Sequence, residues 1–210
     1  MMEKVLRIAV STRALFNLER ENEIFVSRGV DEYVRYQVEH ESTILPKGAA
    51  FSLVEAFLSL NTPEERRVEI MIMSKNSAQV SLRIFNSIEA YGLDITRAAF
   101  TTGMPIAPYL RAYEADLYLS ANEADVAAAI SSGVAAGLIM TDASSFPGHI
   151  SQIRIAFDGD AVLFSDESER IYQEQGVEAF EANEKRLAKK PLPEGPFAHL
   201  LKMISALQQQ

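Results

Sequence analysis

Asp158-Gly159-Asp160 directly follows Ile153–Phe157, a short apolar run that reads as a buried strand. Two carboxylates flanking a glycine at a strand end can do phosphoryl chemistry. The first can attack a phosphoryl group to form an aspartyl-phosphate. The second can protonate the leaving alkoxide and later take a proton from a hydrolytic water. Gly159 lets the backbone turn tightly or approach a ligand. A Mg²⁺ ion held by Asp158 and Asp160 would offset their charge and clamp the phosphoryl oxygens. The same residues also suit a hydrophilic turn, because Asp-Gly is a common turn pair. The motif alone leaves both readings open.

The segment has a counterpart earlier in the chain. Residues 7–16 read RIAVSTRALF and residues 154–164 read RIAFDGDAVLF. Arg7 and Arg154 stand 147 positions apart, and the same offset relates Ile24 to Ile171, Gly29 to Gly176, and Leu45-Pro46-Lys47-Gly48 to Leu192-Pro193-Glu194-Gly195. One-residue slips are expected near Phe16/Phe164 and Phe51/Phe197. The collinear order implies a tandem repeat, with copy one at residues 1–150 and the start of copy two at 151–210. Where copy two has its acid pair, copy one has Ser11 and Arg13. Copy two is incomplete: either the protein is one and a half units, or the chain is a fragment of something nearer 300 residues, roughly two full repeats.

Strand and helix patterns alternate through copy one. Strands are expected at Val5–Val10, Val68–Met73, Arg97–Thr101, Asp116–Leu119 and Val134–Met140. Helices are expected at Val30–His40, Phe51–Leu60, Ser77–Tyr91, Pro105–Tyr113 and Glu123–Ser131. This alternation predicts an α/β fold, a three-layer Rossmann-like parallel sheet. Ligands of such sheets bind beyond the carboxyl ends of the strands. Ser11, Ser74 and Ser120 should therefore converge at one edge. Ser74-Lys75-Asn76 reads either as a helix cap or as a phosphate contact made by Ser74 and Asn76. The strand Ile153–Phe157 is expected to pair with an edge of the copy-one sheet or with a second chain.

Composition narrows the function classes. The 210 residues carry a formal net charge of −9, which argues against a nucleic-acid polymer as partner but leaves room for a small phosphorylated substrate. There is no cysteine, so thiol nucleophiles and cysteine–zinc sites are excluded. His40, His149 and His199 are too far apart in sequence for metal-ligand spacing. No signal-peptide core or membrane-length apolar run is present, so a soluble cytoplasmic protein is expected, with no membrane partner.

The run FDGDAVLFSDESERI (Phe157–Ile171) resembles the nucleophile segment of the cytosolic type I 5′-nucleotidases, members of the haloacid dehalogenase superfamily. VSTRALFN (Val10–Asn17), GVDEYVRYQVEHE (Gly29–Glu41), NSAQVSLRIFNSI (Asn76–Ile88) and LYLSANEADV (Leu117–Val126) extend the resemblance over most of the chain. It implies a haloacid dehalogenase-type fold and Mg²⁺-dependent hydrolysis of nucleoside 5′-monophosphates such as AMP. Asp158 would be the nucleophile and Asp160 the acid/base. It also implies a specificity role for Ser165 and Asp166, which otherwise read as a solvated helix start. The superfamily further needs a Ser/Thr, a Lys and more acids after later strands. Copy one offers Ser74 for the first, but Ser120-Ala121-Asn122 where the acids would stand.

Two other functions remain compatible with these residues. One is a nucleoside phosphotransferase, in which the aspartyl-phosphate passes to another acceptor. The other is a nucleotide-binding or regulatory module without turnover. A homo-oligomer is also compatible. The 210-residue chain by itself is expected to bind Mg²⁺ weakly and hydrolyse AMP poorly.

Overall fold

A computed structural model describes residues 5–140 and 148–209, with residues 160, 161, 168 and 169 described by their backbone only. It divides into two compact units, Met1–Ile153 and Arg154–Gln210.

Unit one is built on a five-stranded parallel sheet: β1 (Leu6–Val10), β2 (Val68–Ser74), β3 (Arg97–Phe100), β4 (Leu117–Ser120) and β5 (Ala135–Leu138), in the spatial order β3-β2-β1-β4-β5. The central strands are apolar runs rather than alternating ones, as a sheet covered on both faces requires. Ile8, Ala9, Val10, Ile70, Met71, Ile72 and Met73 are fully buried. Burying each large side chain of this kind stabilises the fold by about 1.5–3 kcal/mol. Register places Ile8 opposite both Ile70 and Leu117, so β1 is the centre of the sheet.

Side chains alternate across the sheet. Ala9, Met71, Met73, Tyr118 and Ala136 face one side and cluster with Ile106 and Leu110 of α6 (Ala107–Ala112) and Val126 and Ala129 of α7 (Glu123–Ser131). The alternate residues face the other side, where α4 (Phe51–Leu58) packs on β2. A short helix α1 (Thr12–Leu15) follows β1. It leads into an antiparallel pair, α2 (Glu19–Arg28) and α3 (Val30–Glu39), and α5 (Ser81–Ala90) follows a 3₁₀ turn at Ala78–Val80. The architecture is the α/β parallel sheet flanked by helices that the alternation predicts.

Unit two contains a π-helical turn at Gly159–Leu163, then α8 (Glu167–Gln175), α9 (Val177–Leu187) and α10 (Ala198–Gln208). Here one expectation fails: Ile153–Phe157 forms no strand. Ile155 is 44% exposed. A strand is stabilised by its ladder and by the cross-strand contacts it makes, and among the described residues this run forms no β-ladder or β-bridge.

Candidate functional site

The loops that end β1, β2 and β4 meet around a cavity of about 590 Å³, within the usual range for small-molecule sites. Ser11, Ser74 and Ser120 all line it, as do Asn76, Lys75 and Arg13. The convergence expected at the carboxyl edge of the sheet is therefore present.

Each polar group is held by a local device. Ser11 caps α1, its Oγ accepting from the Ala14 N–H at 3.3 Å. Thr12 Oγ1 lies 3.2 Å from Ser74 Oγ, and both side chains are buried, so the ends of β1 and β2 are bonded to one another. The Asn76 N–H donates to Ser74 Oγ at 3.1 Å, and the Asn122 N–H donates to Ser120 Oγ at the same distance. Both strands thus end in the same Ser-x-Asn turn, in which the hydroxyl stands in for a backbone acceptor. Asn122 then caps α7 by accepting from the Asp125 N–H at 2.9 Å. The loop after β3 is tied to the same edge: the Thr102 N–H donates to Asn76 O at 3.1 Å and the Gly103 N–H to Lys75 O at 2.8 Å. Thr102 holds φ 50°, a left-handed conformation uncommon for a β-branched residue. Beside a cavity, such strain marks a constrained loop.

The helical pair α2–α3 forms the apolar wall, with Phe25, Val30, Tyr33 and Val34 facing the cavity. It is anchored by a buried ion pair. Arg83 of α5 donates to Glu21 Oε1 at 2.7 Å, to Gln37 Oε1 at 2.9 Å and to the Thr43 carbonyl at 2.9 Å. Gln37 in turn donates to the Tyr33 hydroxyl at 3.1 Å. Burial pushes the Tyr33 phenol above its ordinary range, with the Gln37 hydrogen bond opposing the shift.

The charges at the cavity are internally matched. Lys75 pairs with Asp125, Glu21 with Arg83, and Arg13 with Glu19 at 3.0 Å. Among the described residues, three buried polar atoms on its lining meet no partner at full hydrogen-bond geometry: Arg13 Nε, Ser77 Oγ and Tyr118 Oη, the last with the Ser120 hydroxyl as its near neighbour. Tyr118 is fully buried, and desolvation pushes its phenol up to about 12, against a smaller opposing effect of the nearby Ser120 hydroxyl. It therefore stays protonated at neutral pH and is available as a donor.

In unit two, Asp158 caps the π-helical turn; its exposed carboxylate accepts from the Gly159 N–H at 2.7 Å. The side chain of Asp160 lies outside the described residues. The Ser165 N–H donates to the Pro193 carbonyl at 2.9 Å, while its buried Oγ has no partner. Asp166 stands at the N-cap of α8 without a side-chain capping bond. Among the described residues, no three acidic or histidine side chains converge as a metal cluster would. Also among them, no helix is long and apolar enough to cross a membrane.

Strand-end reasoning located Ser74, Asn76 and Ser120 but not Tyr118 or the Arg83–Glu21 pair. A lone phenol in the apolar strand Leu117–Ser120, and an arginine amid the apolar residues of Ser81–Ala90, were the available signals.

A family model described as 5′-nucleotidase matches residues 1–210. Human cytosolic 5′-nucleotidase 1B is 37% identical over 215 residues, covering 99% of this chain and 35% of that protein. The chain thus spans about a third of the length of the curated relative it matches. With the family match running its full length and a parallel sheet whose carboxyl edge opens on a ligand-sized cavity, the chain belongs to the 5′-nucleotidase family.

Proposed function

We propose that the protein hydrolyses nucleoside 5′-monophosphates, AMP among them, through an aspartyl-phosphate formed on Asp158. The observation that carries this reading is a correspondence between the two units. In unit one, the Gly48 N–H donates to Leu15 O, the Asn17 N–H to Pro46 O and the Ala50 N–H to Ala14 O. In unit two, the Gly195 N–H donates to Leu163 O, the Ser165 N–H to Pro193 O and the Phe197 N–H to Val162 O. The antiparallel bridge Phe16–Lys47 has its counterpart in Phe164–Glu194. The edge-to-face pair Phe25–Tyr33 across the first helical hairpin has its counterpart in Tyr172–Phe180. We read these as two copies of one unit. The residue slip at Phe164 falls where a π-helical turn replaces α1, and π turns accommodate one extra residue. No slip is needed at Phe197, which takes the bonding position of Ala50 rather than Phe51.

In that frame Asp158 corresponds to Ser11, at the lip of a ligand cavity. Asp158 would attack phosphorus as the bond to O5′ breaks, and Asp160 would donate the proton that O5′ needs. Water would then attack the aspartyl-phosphate, giving its proton to Asp160, releasing phosphate and restoring Asp158. The Asp158 carboxylate, exposed and, among the described residues, bonded through its own turn, suits a hard cation. Asp158 and Asp160 would hold Mg²⁺, with waters and substrate oxygens filling the rest of its shell. The ion would supply neutralisation of the phosphoryl charge. Ser165, whose hydroxyl is unpartnered, and Asp166 would contact the substrate, and Ser74 and Asn76 would contact phosphate in the unit-one cavity. We place the protein in the cytosol, as the name of its human relative states for that protein.

The test is phosphate release from AMP with Mg²⁺ by the full-length protein. Asp158→Asn should abolish it, and Asp160→Asn should slow it by about 10²–10⁴-fold. Near-normal turnover by the Asp158→Asn protein contradicts the proposal.

A further inference from the structure

We infer that the cavity of unit one is a second nucleotide site, one that binds a nucleoside monophosphate and leaves it intact. Three observations lead there. The first is the set of orphaned groups. Arg13 Nε, Ser77 Oγ and Tyr118 Oη are buried without a partner at full hydrogen-bond geometry, and all three belong to residues lining this one cavity. A buried polar group left unsatisfied destabilises the fold, so three at one cavity call for a ligand that satisfies them. All three can donate, and Arg13 Nε can only donate. The complementary ligand therefore presents several acceptor oxygens and no competing donors, as a phosphate monoester does.

The second observation is the wall opposite. Phe25, Val30, Tyr33 and Val34 give the cavity a large apolar side, wasted on inorganic phosphate but suited to an aromatic base. The choice of a nucleotide over another aromatic phosphate ester rests on the nucleotidase reading above.

The third observation concerns turnover. Among the described residues, the acids lining the cavity are Glu21 and Asp125, committed to Arg83 and Lys75 respectively. No histidine lines it. Ser11 Oγ already accepts from the Ala14 N–H, and among the described lining residues no free base stands to take its proton. A phosphate ester held here meets donors and cations but neither an activated nucleophile nor an acid for the leaving group.

The experiment is equilibrium binding to the Asp158→Asn chain, which removes the proposed nucleophile, in the presence of a metal chelator. Isothermal titration with AMP, adenosine and inorganic phosphate separates the contributions. The expected result is one AMP bound per chain without metal, recovered unhydrolysed, with adenosine and phosphate each at least about tenfold weaker. Tyr118→Phe, which keeps the ring in the core, and Ser77→Ala should each weaken AMP by about 2–10-fold, the worth of one hydrogen bond. Arg13→Met should weaken it by more, since a charged donor is lost. Circular dichroism and thermal melting establish that each variant is folded. Absence of AMP binding, affinity unmoved by all three substitutions, or adenosine binding as tightly as AMP would overturn the inference. Failure of the Asp158 mechanism would instead appear as AMP hydrolysis that survives Asp158→Asn, an outcome independent of these affinities.

Discussion

Gly29 and Gly176 hold the same backbone conformation, φ 85° and ψ 178° in the first and φ 83° and ψ 179° in the second, each at the joint of a helical pair. That region is open essentially to glycine alone. A methyl group at either site would meet nothing within 4 Å, so substitution tests the backbone and not the packing. Gly29→Ala and Gly176→Ala should each destabilise by about 1–3 kcal/mol, read from urea unfolding midpoints. Equal stability of either variant would contradict the need for this joint.

Gly48 and Gly195 form a second such pair, but for a steric reason. A Cβ at Gly48 would lie 2.7 Å from the carbonyl carbon of Phe16, and one at Gly195 would lie 2.4 Å from the carbonyl oxygens of Val162 and Phe164. Backbone cannot step aside as a side chain can. Gly48→Ala should therefore cost at least about 1–3 kcal/mol, the usual scale of overpacking. A variant whose unfolding midpoint matches the parent would show that the two segments do not approach this closely.

Much of unit one was legible because its strands are short, apolar and separated by helical patterns. Each of the five expected strands overlaps the observed one, with ends shifted by at most two residues. The helix α2 escaped notice because Glu19–Arg28 (ERENEIFVSR) buries not an apolar stripe but Glu21, against Arg83. Charge pairing over a separation of 62 residues leaves no local periodicity to read. The expected strand Ile153–Phe157 fails for the converse reason: its sequence matches that of β1, but a strand depends on neighbours that its own residues do not encode. Ser74 and Asn76 were legible from the strand-end rule, whereas the orphaned Tyr118 hydroxyl emerges only once the loops have closed around it.

Arg83 is 4% exposed, as is Glu21. Arg83→Met should destabilise unit one by about 3–5 kcal/mol, because it strands a buried carboxylate. Replacing both partners, as Arg83→Met with Glu21→Leu, should recover most of that loss. Chemical denaturation of the single and double variants checks this, and a double variant no more stable than the single would contradict it.

Tyr118 makes stability depend on alkaline pH. Its folded phenol titrates at about 12 rather than 10, so only the unfolded chain gains from ionisation between those values. Stability is intact below pH 10 and falls by about 2–3 kcal/mol as pH rises through 12, because each tenfold difference in proton affinity between the two states is worth about 1.4 kcal/mol. Tyr33, raised in the same direction, adds to the loss. Tyr118→Phe should flatten the decline relative to the parent when unfolding is measured at about pH 9 and about pH 11.5, on either side of the ordinary phenol value. Parallel pH profiles would contradict the buried, protonated state of this phenol.

The covalent role of Asp158 is tested most directly by trapping. The full-length protein is incubated with AMP and Mg²⁺, quenched with borohydride, digested and analysed by mass spectrometry. An aspartyl-phosphate is reduced at its acyl carbon, so the account predicts homoserine at position 158, absent without AMP. Unmodified aspartate at 158 in protein that is turning over AMP, or homoserine at another aspartate instead, would contradict it.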